Sequence, residues 1–209
     1  MAVKYTDRYI CGMESKAERT RNFIIETTAG IFNTRGYAGT SMSDICEATG
    51  LTKGSIYGNF ENKEAVALAV FDYNLNKVNR LIGQLMHEAT TYYDKLMAYI
   101  RVYSRYNGSD FPEGGCPVLN TAIEADDTNA LLRDKAARAL GKWRKNIEDI
   151  IRKGIEAGEF KKDTDPAQTA LSILALIEGG IMISKLTNSQ ASLHKVLQTT
   201  EMIIHQIQQ

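Results

Sequence analysis

A chain of 209 residues, 44% of them hydrophobic and only 3 of them proline, can bury a sizeable core and run through long unbroken segments. Its 25 Lys and Arg balance 25 Asp and Glu, and the first 64 residues hold eight of each sign, which excludes a surface that is basic by count. The 3 cysteines cannot all pair within one chain and form no Cys-x-x-Cys or Cys/His cluster, so the expectation is a reducing cytoplasmic setting and no zinc.

Residues 1–13 carry Lys4, Asp7 and Arg8, lack the long apolar core of a signal peptide, and read as a loose tail. A first helix is expected from Glu14 to Arg35, with Phe23, Ile24, Thr27, Ile31 and Phe32 facing inward and Gly36 closing it. Either Thr40 or Ser41 can cap a second helix, and Asp44, three residues after Ser41, suits its positive end. Met42, Ile45, Cys46 and Ala48 fall at helical spacing, and Gly50 supplies the positive φ that a tight turn requires. Thr52 is placed to cap a third, short helix over Lys53 to Asn59, from which Ile56 returns to the core while Thr52, Lys53, Ser55 and Tyr57 face outward. Two short helices bent around a glycine, the second with polar tips near its N-terminal end, have the form of a DNA reader.

A long connector follows from Lys63 to about His87, with Ala67, Val70, Phe71, Asn74, Val78, Leu81, Ile82 and Leu85 inward. Tyr92 to Arg105 is the next helix, the Gly- and Pro-containing stretch Asn107 to Gly115 a loop, and Cys116 to Ala125 a short helix. Asp126, Asp127 or Thr128 caps a helix running from about Asn129 to Ala157, which Gly158 ends. Asp165-Pro166 opens a helix that is apolar on nearly every face, interrupted by Gln168, Thr169, Glu178 and Lys185, which argues for burial in protein and against a membrane span. A last helix is expected from Ser192 to Ile207. The fold class is therefore all-α: a tail over 1–13, a three-helix helix-turn-helix unit over 14–62 and a helical body over 63–209.

The run Phe32-Asn33-Thr34-Arg35-Gly36-Tyr37, then Thr40-Ser41, then Lys53-Gly54-Ser55-Ile56-Tyr57-Gly58-Asn59-Phe60-Glu61-Asn62-Lys63 resembles the N-terminal signature of the TetR family of bacterial transcriptional repressors, over roughly residues 16 to 71. Cys46, Gly58 and Asn59 depart from the commonest pattern. The resemblance implies binding to double-stranded operator DNA, with Thr40, Ser41, Thr52, Lys53, Gly54, Ser55, Tyr57, Asn59 and Lys63 as the candidate contacts. It implies that the last two helices pair with their copies in a homodimer, with Leu171, Leu174, Ile177, Ile181, Leu197 and Ile204 at the seam. It also implies a small-molecule effector among the middle helices, where Phe71, Tyr99, Tyr103, Cys116, Asn120, Glu124, Trp143 and Glu178 offer apolar walls with a few polar handles.

Glu178, a carboxylate in an apolar helix, has to be hydrated, paired or neutralised. Cys116 stands at a helix start, where the dipole lowers a thiol pKa, and with Lys185 it is similar to relatives that respond to electrophiles and oxidants. Catalytic residues and cofactors are not expected: His87, His194 and His205 lie far apart, and there is neither a phosphate-cradling loop nor a nucleophile elbow. The rival reading is a helical ligand-binding protein or enzyme without DNA recognition.

Overall fold

The computed structural model describes residues 15–125 and 127–209; the tail, Cys11 and Asp126 as a cap lie outside them. The described residues form nine α-helices: α1 (Lys16–Arg35), α2 (Met42–Thr49), α3 (Lys53–Tyr57), α4 (Lys63–Glu88), α5 (Tyr92–Tyr103), α6 (Pro117–Ala125), α7 (Ala130–Glu156), α8 (Pro166–Thr187) and α9 (Gln190–Gln206). Their starts are fixed by side chains that accept first-turn amides, among them Ser15, Asn62, Thr91, Asn129, Asp165 and Ser189. Ser15 and Glu18 form a reciprocal capping box, so α1 begins two residues later than Glu14. Phe23, expected inside, is 46% exposed, and the inward face of α1 instead carries Thr28, Ala29 and Asn33 beside Ile24 and Phe32.

Two cores result. Ile24, Phe32, Ile45, Ile56 and Phe60 pack in the head together with Val66, Ala67 and Val70 of α4, and with Ala125 of α6 and Leu132 of α7. The larger core lies in the body, around Tyr99, Tyr103, Trp143, Ile147, Ile151 and Ile177. The first half of α4 and the ends of α6 and α7 therefore belong to the packing of the head.

The body layers α8 between α7 and α9. By length and composition α8 could cross a membrane, yet its Ala170, Ile173, Leu174, Ile177 and Ile181 are buried within the protomer. This corrects the expected seam: Leu174, Ile177, Ile181, Leu197 and Ile204 are at most 5% exposed, closed off by the chain's own helices, and only Leu171 faces outward. A helix that is apolar all round gives no periodic signal for which face its own neighbours cover. The outward face carries Leu171, Met182, Ile183 and Leu186, the last 80% exposed, with Met202 of α9 also exposed.

Gly154 of α7 is a packing requirement. A Cβ there would meet the ring of fully buried Phe160 and approach Cβ of Tyr92 at 3.1 Å. Gly154→Ala is expected to cost about 2 kcal/mol through overpacking, seen as a lower urea midpoint at unchanged slope. A midpoint equal to that of the parent would contradict this packing.

Candidate nucleic-acid interface and effector groove

α2 and α3 turn about Gly50, whose φ of 67° is left-handed. Ser41 caps α2 and exchanges bonds with Asp44, and Thr52 caps α3 by accepting from the Ser55 amide at 3.2 Å. Fully buried Ile45 and Ile56 pin the two helices to the head. What remains outside is Ser41, Thr52, Lys53, Gly54 and Tyr57, all exposed, with Ser55 half-buried beside them. α3 stops at Tyr57, with Gly58 as its C-cap residue, and half-buried Asn59 turns its side-chain amide back onto the Ser55 carbonyl at 2.9 Å. Arg21 of α1 holds the Asn59 carbonyl at 2.8 Å and stacks over Phe60, which fixes the far end of the reading helix.

Two expected contacts stand elsewhere. Thr40 is fully buried, its hydroxyl donating to the Gly36 carbonyl at 2.7 Å. Lys63 turns its ammonium inward to the carbonyls of Tyr37 and Thr40, at 2.7 and 2.8 Å, and over the Tyr37 ring. Glu124 of α6, expected in the effector pocket, grips the same loop from the other side: its carboxylate accepts from the amides of Tyr37 and Ala38 at 2.9 and 2.7 Å. The loop over 36–40, which leads directly into α2, is thus clamped by the connector and by the body at once.

A second set of bonds runs through α1 and the loop before α6. Asn33, buried in α1, donates to the carbonyls of Glu113 and Gly115 at 2.6 and 2.9 Å. Asn120 of α6 returns a bond to the Asn33 carbonyl and another to Gly114, both at 2.9 Å. Lys185 of α8 donates to the Gly114 carbonyl and to Oδ1 of Asn120. Gly114 and Gly115 have φ of 85° and 94°, and a Cβ on Gly114 would press on the Asn33 carbonyl at 2.9 Å, so glycine permits the close approach. Asn120 therefore serves the junction of head and body. Asn33 was missed in the sequence, although a polar residue one turn after Ala29 on the inward face of α1 is a visible signal.

Of the remaining effector candidates, Phe71, Tyr99, Tyr103 and Trp143 are core residues; Tyr103 meets the rings of Phe111 and Trp143 edge-on, and Trp143 donates to Asn79 at 2.7 Å. The Cys116 thiol is fully buried, 3.4 Å from the Tyr103 hydroxyl, and donates to Oε1 of Glu178 at 3.0 Å. Burial, with the Glu178 carboxylate beside it, holds this thiol well above its ordinary value, the reverse of what its place at a helix start suggested. Desolvation outweighs the dipole here, and Lys185, exposed and bonded to Gly114 and Asn120, makes no hydrogen bond to the sulfur. Burial likewise pushes the Glu178 carboxyl up to about 7, partly offset by the Cys116 bond.

Glu178 borders a groove of about 500 Å³ between α6, α7 and α8, walled by Val118, Leu119, Ala122, Leu140, Leu171 and Leu174 among others, with Arg144 at its rim. Phe71 and Glu124 border a crevice of about 20 Å³ at the head, too small for a ligand.

Comparison with known proteins places this geometry. Residues 24–70 match the model for bacterial regulatory proteins of the tetR family, and residues 93–200 match that for the tetracyclin repressor-like C-terminal domain. A TetR-family regulator from Cytophaga hutchinsonii is 52% identical, with a TM-score of 0.87 over 93% of this chain and 97% of that one. A TetR regulator from Chloroflexus aurantiacus is 37% identical, with a TM-score of 0.87 over 92% and 98%. The transcriptional repressor DhaR of Mycobacterium sp. (strain GP1) is 26% identical over 85% of this chain and 88% of its own. With a capped helix-turn-helix at its N-terminus and a matching helical body, the chain belongs to the TetR family of transcriptional regulators.

Proposed function

We propose that the protein is a cytoplasmic homodimeric repressor that holds a near-palindromic operator and releases it when a small molecule enters the body, acting by binding rather than turnover. The observation that carries this reading is the loop over 36–40, which feeds α2 and is held by Lys63 of α4 and Glu124 of α6. A tilt of α6 or α4 moves the reading head through those bonds. Thr52 and Ser55 reach base edges; Ser41, Lys53, Gly54 and Tyr57 lie along phosphates, where side chains and backbone amides position the head. The exposed Met182, Ile183 and Leu186 of α8, with Met202 of α9, meet their copies across a two-fold axis, which would set two heads in successive major grooves about 34 Å apart. An effector that prefers the released state by a few kcal/mol is enough to shift the population.

A mobility shift with the duplex flanking the coding frame tests the reading. The expected result is retention that survives excess nonspecific duplex and is reduced by Tyr57→Ala and by Thr52→Ala. Retention equal for every duplex, or none, would remove it.

A further inference from the structure

Glu178 has a hydrogen-bonding need that the described chain leaves unmet. Its Oε1 accepts from the Cys116 thiol at 3.0 Å, while Oε2 is enclosed by protein and has no partner among the described residues. Ionised, the group is a buried charge without a counter-charge; protonated on Oε2, it is a donor without an acceptor. Either state costs free energy, and such groups in native proteins call for an explanation.

The surroundings narrow what could meet it. Apart from Arg144 at its rim the groove beside Glu178 is apolar, and its volume of about 500 Å³ suits a small molecule. Arg144 at the rim is directed to Glu148, with Nε 3.3 Å from Oε1, and Lys185, two turns along α8, is held by Gly114 and Asn120. Neither cation bonds Oε2. A ligand carboxylate would meet like charge there, and a neutral alcohol would supply a hydrogen bond but no charge. An ammonium supplies both, and its hydrocarbon part covers Leu119, Leu140 and Leu174.

We propose that the groove between α6, α7 and α8 binds a hydrophobic amine, its apolar body against the leucine walls and its ammonium paired with the carboxylate of Glu178, which borders the groove and turns its enclosed Oε2 outward to meet the ligand. This rests on the reading that an effector docks in the body, and gives that effector a chemical class. It also gives Cys116 a role in positioning, since its thiol fixes the carboxylate at the start of α6, the helix that carries Asn120 and Glu124 to the head.

The whole 209-residue chain is titrated with decylammonium, decanol and decanoate below their aggregation limits, followed by calorimetry and by the fluorescence of its single tryptophan, Trp143. Decylammonium should bind once per chain and about tenfold or more tighter than decanol, the difference a charge-assisted bond makes, with no saturable binding of decanoate. Glu178→Gln should abolish the preference for amine over alcohol, and Leu140→Trp, which fills the groove from its outer wall, should weaken both. Equal affinity for amine and alcohol, tighter decanoate binding, or a preference that survives Glu178→Gln overturns the proposal. Operator retention on the same preparations separates the two readings: retained duplex without an amine preference removes the amine alone, and an amine preference without retained duplex removes the repressor alone.

Discussion

Replacing Lys63 by methionine is expected to destabilise the head by about 2 kcal/mol and to weaken operator retention without changing its dependence on salt. Methionine keeps an unbranched stem but supplies no donor, so the carbonyls of Tyr37 and Thr40 lose charge-assisted bonds and the Tyr37 ring loses its cation. Because Lys63 is half-buried, water replaces part of what is lost, which holds the cost below the sum of its contacts. A lysine on a phosphate behaves in the opposite way: its removal leaves folding untouched and lowers the salt slope by about one. Lys53, exposed at the start of α3, should show that second pattern. Urea unfolding together with retention measured at salt from about 50 to 200 mM distinguishes them. An unaltered urea midpoint for Lys63→Met, with a slope reduced by about one, would return Lys63 to the DNA surface.

Leu186→Glu is expected to yield single chains and to lower operator affinity by about a hundredfold or more, because two heads on one duplex gain affinity from their linkage. Leu186 is 80% exposed in the isolated protomer and lies on the same outward face of α8 as Met182 and Ile183, so a carboxylate there has no effect on the fold of one chain but lies at the centre of the proposed seam. Ile177→Glu makes the contrast: Ile177 is fully buried between the chain's own helices, and a charge there should prevent folding rather than divide a dimer. A sizing column records both outcomes. A Leu186→Glu protein that elutes as a dimer and retains its operator would move the seam to another surface.

The helices could be read from the sequence to within a few residues wherever a cap and a periodic face coincide, as at Ser41, Thr52 and Asp165-Pro166. The outward tip of α3 was legible for the same reason, since the positions of Ile45 and Ile56 in the core fix which residues point away. Lys63 and Glu124 were not, because a charged side chain at a helix end looks the same in sequence whether it meets solvent, phosphate or the backbone of a loop folded against it. Their bonds join residues 26 and 87 positions apart. Thr40 was ambiguous with Ser41 as a cap, and the structure gives the cap to Ser41 and the interior to Thr40. Cys116 shows a competition between two local effects: the helix start favours thiolate, but complete burial beside a carboxylate disfavours it more, and burial is a property of tertiary packing. The face of α8 that meets its own chain was hidden because nearly all of its faces are apolar.

The bonds from Glu178 through Cys116 into α6, and from Asn120 and Glu124 into α1 and the loop before α2, give a contiguous physical connection between groove and reading head. Such a connection has consequences for DNA only if two heads are held at a fixed separation. Footprinting of the retained promoter duplex with hydroxyl radicals therefore tests the account most directly. It should reveal two protected stretches related by two-fold symmetry, their centres about one helical turn apart, with an even number of chains per duplex. Protection of one isolated half-site by a single chain would contradict it.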